Sequence, residues 1–154
     1  ETTFEKGDLY EVAQGTVDML AMSAQQHRVS LQSEGRKCYV YGSKQMLEDL
    51  VYNLCDNAIR YNVENGLVCV TVGEEDDNVF LAVRDTGIGI SKENQERVFE
   101  RFYRVDKSRS KATGGTGLGL AIVKHIALIH GARIKLESQV DVGTTITVTF
   151  PTAN

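Results

Sequence analysis

The stretch Gly114-Gly115-Thr116-Gly117-Leu118-Gly119-Leu120 constrains this chain more than any other. Four glycines in six positions exclude a helix interior or a strand, because each glycine there costs about 0.5–1 kcal/mol relative to alanine. Ala121 to His130 follows as an apolar helical run that Gly131 closes. A glycine loop feeding a helix N-terminus presents free N–H groups and the positive end of a dipole, which suits phosphate. A surface turn before a helix, the plainer reading, needs only one or two glycines. The two common nucleotide loops are absent. Lys107 to Thr113 is polar and basic, without the strand that a dinucleotide loop requires. No glycine is followed by Lys-Ser or Lys-Thr, so there is no Walker loop.

A chain of 154 residues reads as one domain large enough to bury a core. Its net charge of −4 argues against nucleic acid as a partner, and the basic residues gather in one short segment, Arg101 to Lys111. Cys38, Cys55 and Cys69 form no C-x-x-C pair and read as buried free thiols of a reducing compartment. There is no signal peptide and no apolar run long enough to span a membrane. The acidic start without Met suggests a piece of a longer protein.

Thr3 to Lys6 is a candidate edge strand, and Asp8 caps a helix with apolar positions Leu9, Val12, Val17, Leu20 and Ala21, ending near His27. Val29–Glu34 and Cys38–Tyr41 alternate about Gly35 and are expected to pair as a hairpin. Ser43 caps a second helix to about Tyr61. Leu67–Gly73 and Val79–Arg84 are strands around an acidic turn, and Ser91 caps a short helix through about Phe99. After the basic segment, the glycine loop and a third long helix, Ala132–Ser138 and Thr144–Phe150 form a last hairpin. Hairpin strands with about three helices between them predict an α+β, two-layer sandwich. Its sheet is mixed and mostly antiparallel, with about five strands.

Two further stretches carry unusual chemistry. On the second helix Leu47, Leu50, Val51, Leu54 and Ala58 form the core face. Asp49, Asn53, Asn57 and Tyr61 line up four apart on another stripe. Asparagine is a poor helix former, and amide oxygens are hard ligands that suit Mg²⁺ beside phosphate; the same stripe also reads as a plain solvated face. Asp85-Thr86-Gly87-Ile88-Gly89 ends a strand. It is either an ordinary Asp/Gly turn, or a carboxylate placed to accept from an adenine amine with glycines that let a flat base approach.

In this order the stretches resemble the catalytic, ATP-binding domain of sensor histidine kinases. Asn53–Tyr61 resembles that family's N box, Asp85–Ile90 its first glycine box, Val98–Arg104 its F box, and Gly115–Leu120 its second glycine box. Gly143-Thr144-Thr145 resembles its last short motif, so the resemblance runs from about Asp8 to Pro151. It implies that Asn57, assisted by Asn53, holds Mg²⁺ between the phosphates of ATP. Arg60, where the family commonly has lysine, keeps positive charge there, and Tyr61 lines the pocket. Asp85 reads the adenine amine with Thr144 helping through water, and Gly87 and Gly89 make room for the base. The backbone of Gly115, Thr116, Gly117, Leu118 and Gly119 approaches the phosphates. Arg104 and Arg109 meet the γ-phosphate, while Phe99 and Phe102 anchor a lid over about residues 104–116 in which Lys107 and Lys111 are solvated charges.

The same resemblance implies an ATP-dependent protein-histidine kinase feeding a two-component pathway. The phosphate acceptor is a histidine on a separate dimerisation domain of the same protein, and a response-regulator receiver domain is the next partner. None of His27, His125 and His130 sits in the acceptor pattern, so the acceptor helices are expected upstream of Glu1. The chain would then be a monomeric cytoplasmic domain of a homodimer anchored in the bacterial cell membrane. In the related gyrase and heat-shock-chaperone ATPases the position matching Asn53 is a glutamate that activates water; Asn53 cannot act as a base. Two alternatives are an anti-sigma-factor-type serine kinase, which lacks the F box and basic lid, and a nucleotide-sensing domain without catalysis.

Overall fold

The computed structural model describes residues 3–100 and 119–151. The chain opens with strand β1 (Glu5–Asp8) and helix α1 (Leu9–Gln26), followed by β2 (Ser30–Gly35), β3 (Tyr39–Gly42) and α2 (Lys44–Arg60). Next come β4 (Leu67–Glu75), β5 (Asn78–Asp85) and a single helical turn, α3 (Lys92–Gln95). Helix α4 (Gly119–Ile129) precedes the closing strands β6 (Arg133–Gln139) and β7 (Gly143–Phe150). Five strands form one sheet in the order β2-β4-β5-β7-β6, and β1 pairs with β3 in a separate two-stranded sheet. Only the β2–β4 contact is parallel within the larger sheet. This is the expected α+β sandwich.

Strand alternation makes the two layers. Val68, Val70 and Val72 of β4, Val79, Leu81 and Val83 of β5, and Ile146, Val148 and Phe150 of β7 are all buried on one face. The intervening Thr71, Ala82, Thr145, Thr147 and Thr149 lie on the other, half-exposed. Helix α2 lays Leu47, Leu50, Val51, Leu54 and Ala58 on the apolar face, as its 3.6-residue period predicts. Ser43 caps it, with the side chain accepting from Met46 N at 3.3 Å. Cys38, Cys55 and Cys69 are buried free thiols, and burial pushes the Cys55 thiol up to about 12.

Three local expectations are corrected. Val29–Glu34 and Cys38–Tyr41 do not pair with each other: β2 runs parallel to β4, and β3 runs antiparallel to β1. At the β1–β3 junction the Asp8 Oδ1 caps α1 at Tyr10 N (3.1 Å) and also accepts from Cys38 N (3.2 Å). Leu9 N donates to Cys38 O (2.8 Å), so the start of β3 is tied to the N-terminal strand. On α1 the buried positions are Leu9, Ala13, Thr16, Leu20 and Ala24, whereas Val12 and Val17 are half-buried and Ala21 is exposed. Small residues on that face let α1 pack closely, a preference that a count of large apolar residues does not register. The helix after Ser91 ends at Gln95 rather than near Phe99. The Gln95 side chain donates to Ile90 O at 2.8 Å, folding the turn back on its own entry.

The polar joint after α2 is also structural. Asn62 is buried, donates to Leu67 O (3.0 Å) and accepts from Val63 N (2.8 Å) and the Thr86 hydroxyl (3.3 Å). Thr86 Oγ1 in turn accepts from Leu67 N at 2.8 Å. This network ties the end of α2 to the start of β4 and the end of β5. Asn62→Ala is expected to cost about 2 kcal/mol, because it strands buried partners. A urea unfolding midpoint measures it, and an unchanged midpoint would show the network to be idle.

Candidate functional site

Asn53 and Asn57 lie on the half-exposed stripe of α2, on the flank of its core face. The Asn53 amide donates to Asp49 O at 2.7 Å, which turns its Oδ1 outward. That oxygen faces the start of α4: a Cβ built on Gly119 would stand 3.4 Å from it. Among the described residues the Asn57 carboxamide takes no hydrogen-bond partner. Its oxygen is therefore free for a hard cation, and the donor set fits Mg²⁺, which needs only one or two protein oxygens. Arg60 leans back on Asp56 through an i,i+4 pair at 2.9 Å.

The C-cap of α2 is where the helix meets the glycine turn. Tyr61 O accepts from Ile88 N at 3.1 Å. Gly87 is wedged in this joint: a Cβ there would collide with Tyr61 O and lie 2.9 Å from Asp85 Oδ1 and 3.0 Å from Asn62 Cα. Gly89 has φ +74 and no room for a side chain against Gln139. Asp85, the last residue of β5, receives Gly87 N at 2.8 Å and Thr144 N at 3.2 Å, both on Oδ1. Among the described residues no donor reaches Oδ2. Burial pushes the Asp85 carboxyl up to about 6, and the two backbone N–H bonds only partly offset it.

Thr144 is buried, and its hydroxyl pairs with Ser138 Oγ at 2.7 Å. Ser138 Oγ also takes Ile90 N at 2.7 Å and reaches Gly143 O at 3.1 Å, locking the glycine turn to the β6–β7 hairpin. Ser138 is not legible in the sequence, since a Ser in an alternating strand carries no signal, whereas Gly143 stands at a hairpin end after Asp141-Val142 and in the last short motif.

The fold thus gathers Asn53, Asn57, Arg60, Tyr61, Asp85, Gly87, Gly89, Gly119 and Thr144 along one rim: the exposed edge of α2, the β5 end and the N-terminus of α4. Arg104, Arg109, Gly115, Thr116, Gly117 and Leu118 lie outside the described residues, with Phe102 and the lid charges Lys107 and Lys111. A separate hollow of about 460 Å³, between the end of α1 and β2, is lined by Ala24, Arg28, Leu31 and Asn65 and holds none of the rim residues. The rim offers a half-buried carboxylate with one oxygen unclaimed among the described residues, and two asparagine amides beside the first described turn of α4. Together these are equipment for a base, a cation and phosphates.

Residues 42–154 match the family described as histidine kinase-, DNA gyrase B-, and HSP90-like ATPase. Over 145 residues the chain is 43% identical to the sensor-like histidine kinase SenX3 of Mycolicibacterium smegmatis, a match covering 94% of this chain and 38% of that protein. It is 41% identical over 137 residues to the phosphate regulon sensor protein PhoR of Pseudomonas aeruginosa, covering 88% of this chain and 31% of that one. Among solved structures, the mycobacterial sensor histidine kinase MprB superposes with a TM-score of 0.85 at 28% identity, over 98% of this chain and 99% of that one. Full-length ShkA in complex with AMPPNP superposes with a TM-score of 0.86 over 100% of this chain and 32% of that one; at 22% identity this likeness concerns the fold. The chain spans well under half the length of the curated relatives it matches.

Proposed function

We propose that this chain, which belongs to the histidine kinase-, DNA gyrase B-, and HSP90-like ATPase family, binds Mg·ATP and passes the γ-phosphoryl group to a histidine presented by another domain. The observation that carries the reading is the Asp85 carboxylate, half-buried, with one oxygen held by two backbone donors and the other without a donor among the described residues, next to the joint that anchors the asparagine helix. Such an oxygen suits the exocyclic amine of adenine, whereas the missing side chains of Gly87 and Gly89 are taken up by close packing against Tyr61 and Gln139 rather than by room for the base.

Each rim residue then takes a role. Asn57, with Asn53 beside it, would hold Mg²⁺, which when bound supplies charge neutralisation at the phosphates. Arg60 adds positive charge near them, and Tyr61 flanks the nucleotide. The N-terminus of α4, led by the Gly115–Gly119 backbone, receives phosphate oxygens through N–H groups. Arg104 and Arg109 contribute guanidinium forks to the γ-phosphate. Phosphoryl transfer asks mainly for positioning and neutralisation of charge. Asn53, an amide, has no proton-accepting capacity with which to activate water as a base would. A neutral imidazole needs no such base: its nitrogen lone pair attacks phosphorus as the bond to the leaving ADP oxygen breaks. Hydrolysis is accordingly slow and transfer to histidine is the productive course.

In the whole protein the acceptor lies on a dimerisation domain, the phosphoryl group moves on to a response-regulator receiver domain, and the catalytic domain faces the cytoplasm below a membrane anchor. The names of the curated relatives, all sensor kinases or sensor proteins, favour histidine over serine as acceptor. The test incubates the chain with radiolabelled ATP, Mg²⁺ and a separate histidine-bearing helical domain. Label is expected on the partner, at least about tenfold less with Asn57→Ala, in line with the cost of disturbing a metal shell. Equal labelling by both proteins refutes the metal role. Nucleotide binding without any transfer refutes the kinase reading and leaves a sensing domain.

A further inference from the structure

A buried imidazole sits where three parts of the fold meet, outside the rim. His130 follows α4, is 5% exposed, and has both ring nitrogens engaged. Nε2 accepts from the backbone N–H of Ser43 at 3.1 Å, so Nδ1 carries the proton and donates to Ile126 O at 2.8 Å. Phe4 stacks on the ring with centroids 4.7 Å apart, and Phe150 of β7 meets it edge-on at 6.2 Å. Gly42 provides the seat: a Cβ there would lie 2.5 Å from His130 Cδ2 and 2.7 Å from Nε2.

What the ring joins gives it consequence. Ser43 is the N-cap of α2, the helix that carries Asn53 and Asn57, and Ile126 is in the last turn of α4, the helix that the glycine loop enters. The two helices run antiparallel, with Ser43 beside His130 at one end and Asn53 beside Gly119 at the other. Ser43 to Asn53 is ten residues and Gly119 to His130 eleven, about 15–17 Å of helix in each case. The ends therefore match. At the far end Asn53 Oδ1 stands at ordinary contact distance, 3.4 Å, from where a Gly119 Cβ would be, so the two elements adjoin there.

We propose that His130 is a positioning residue for the nucleotide site. By bridging the cap of α2 and the last turn of α4, it holds the asparagine stripe at the distance from the α4 N-terminus at which both reach the same phosphates. The inference rests on the reading of the rim as a Mg·ATP site. Without the imidazole acceptor, the Ser43 N–H is a buried donor with no partner, and relieving it requires the α2 cap to move.

Three variants and one wild-type measurement test this. His130→Phe keeps a ring against Phe4 but offers Ser43 no acceptor; His130→Gln places an amide oxygen near the Nε2 position; Gly42→Ala displaces the native ring. Melting curves first define a temperature at which each variant is folded, and Mg·ATP titration follows there. His130→Phe and Gly42→Ala are expected to bind at least about tenfold more weakly, whereas His130→Gln stays within about threefold of wild type. In the wild type, hydrogen exchange at the Ser43 amide is expected to slow when Mg·ATP binds, because coupling between the two places is reciprocal. A merely structural histidine would lower melting temperatures and leave the affinity of folded protein alone. Folded His130→Phe at wild-type affinity, or Ser43 exchange indifferent to nucleotide, overturns the proposal; the exchange arm needs no variant to fold. Failure of the wild type to bind nucleotide at all instead removes the site reading, and this inference with it.

Discussion

Asp85→Asn is expected to weaken nucleotide binding on the order of a hundredfold at neutral pH while leaving the domain more stable than the wild type. The two effects have one cause. Burial lifts the Asp85 carboxyl from 3.8 to about 6, so the native state keeps a proton that the unfolded chain has already released between those values. Stability therefore falls as pH rises through this window, and above about pH 6 the native state carries the whole cost, at most about 3 kcal/mol at 1.36 kcal/mol per unit. Asparagine keeps an Oδ1 to accept from Gly87 N and Thr144 N, and it has no charge to desolvate. Its other atom, however, is an N–H donor where the adenine amine also donates. The substitution removes a charge-assisted hydrogen bond, about 1.5–3 kcal/mol, and sets two donors against each other. Wild-type affinity is expected to climb about tenfold per pH unit up to about pH 6 and then level off, if the ionised form is the one that binds. Calorimetric titrations across that range, with melting curves alongside, measure both effects. A flat wild-type profile, or an asparagine variant that binds as well as the wild type, sinks the base-reading role.

How far the sequence reveals the fold depends on whether the deciding contact is local. Helix α2 is legible because Ser43, the apolar stripe and the asparagine line all lie within one stretch of chain. The β4–β5 and β6–β7 hairpins are legible because their turns hold residues tolerant of left-handed backbone, Asp76 and Asp77 at φ 53 and 67 and Asp141 at φ 65. The partners of β2 and β3 are not legible. Alternation identifies a strand but says nothing of what it pairs with, and here contacts from Asp8 and Leu9, about thirty residues before Cys38, tie β3 to β1. The rim follows the same division. Asn53, Asn57, Asp85 and the paired glycines stand out because their residue types are costly where they occur. Asn62, Thr86, Ser138 and His130 do not, since each is an ordinary polar residue until the fold brings its partner. Gly143 lies between the two cases, a turn glycine in sequence and a spacer in space.

That spacer sets the second large effect. Gly143→Ala is expected to cost about 3 kcal/mol or more in stability and at least about tenfold in nucleotide affinity. Gly143 has φ +141, and a Cβ there would collide with the carbonyl oxygen of Asp85 and stand 3.0 Å from Thr86 Cα, both of them backbone atoms that cannot rotate aside. The start of β7 must therefore withdraw from the end of β5, where Thr144 pairs with Asp85 and donates its N–H to the carboxylate. Withdrawal frees Oδ1 from one of its two donors and breaks the Ser138 link that holds Ile90. Gly131→Ala is the collision-free control. Its φ of +66 lies in the αL region, a milder strain than φ +141, and the nearest atom to a new Cβ is Pro151 Cγ at 3.9 Å, so it bears conformational strain of about 1 kcal/mol and no collision. Comparing the two alanine variants by urea unfolding and Mg·ATP titration sets mild αL strain alone against the combined strain and collision at Gly143. If both lose the same stability and both bind nucleotide normally, the close approach of β7 does not hold Asp85 in place.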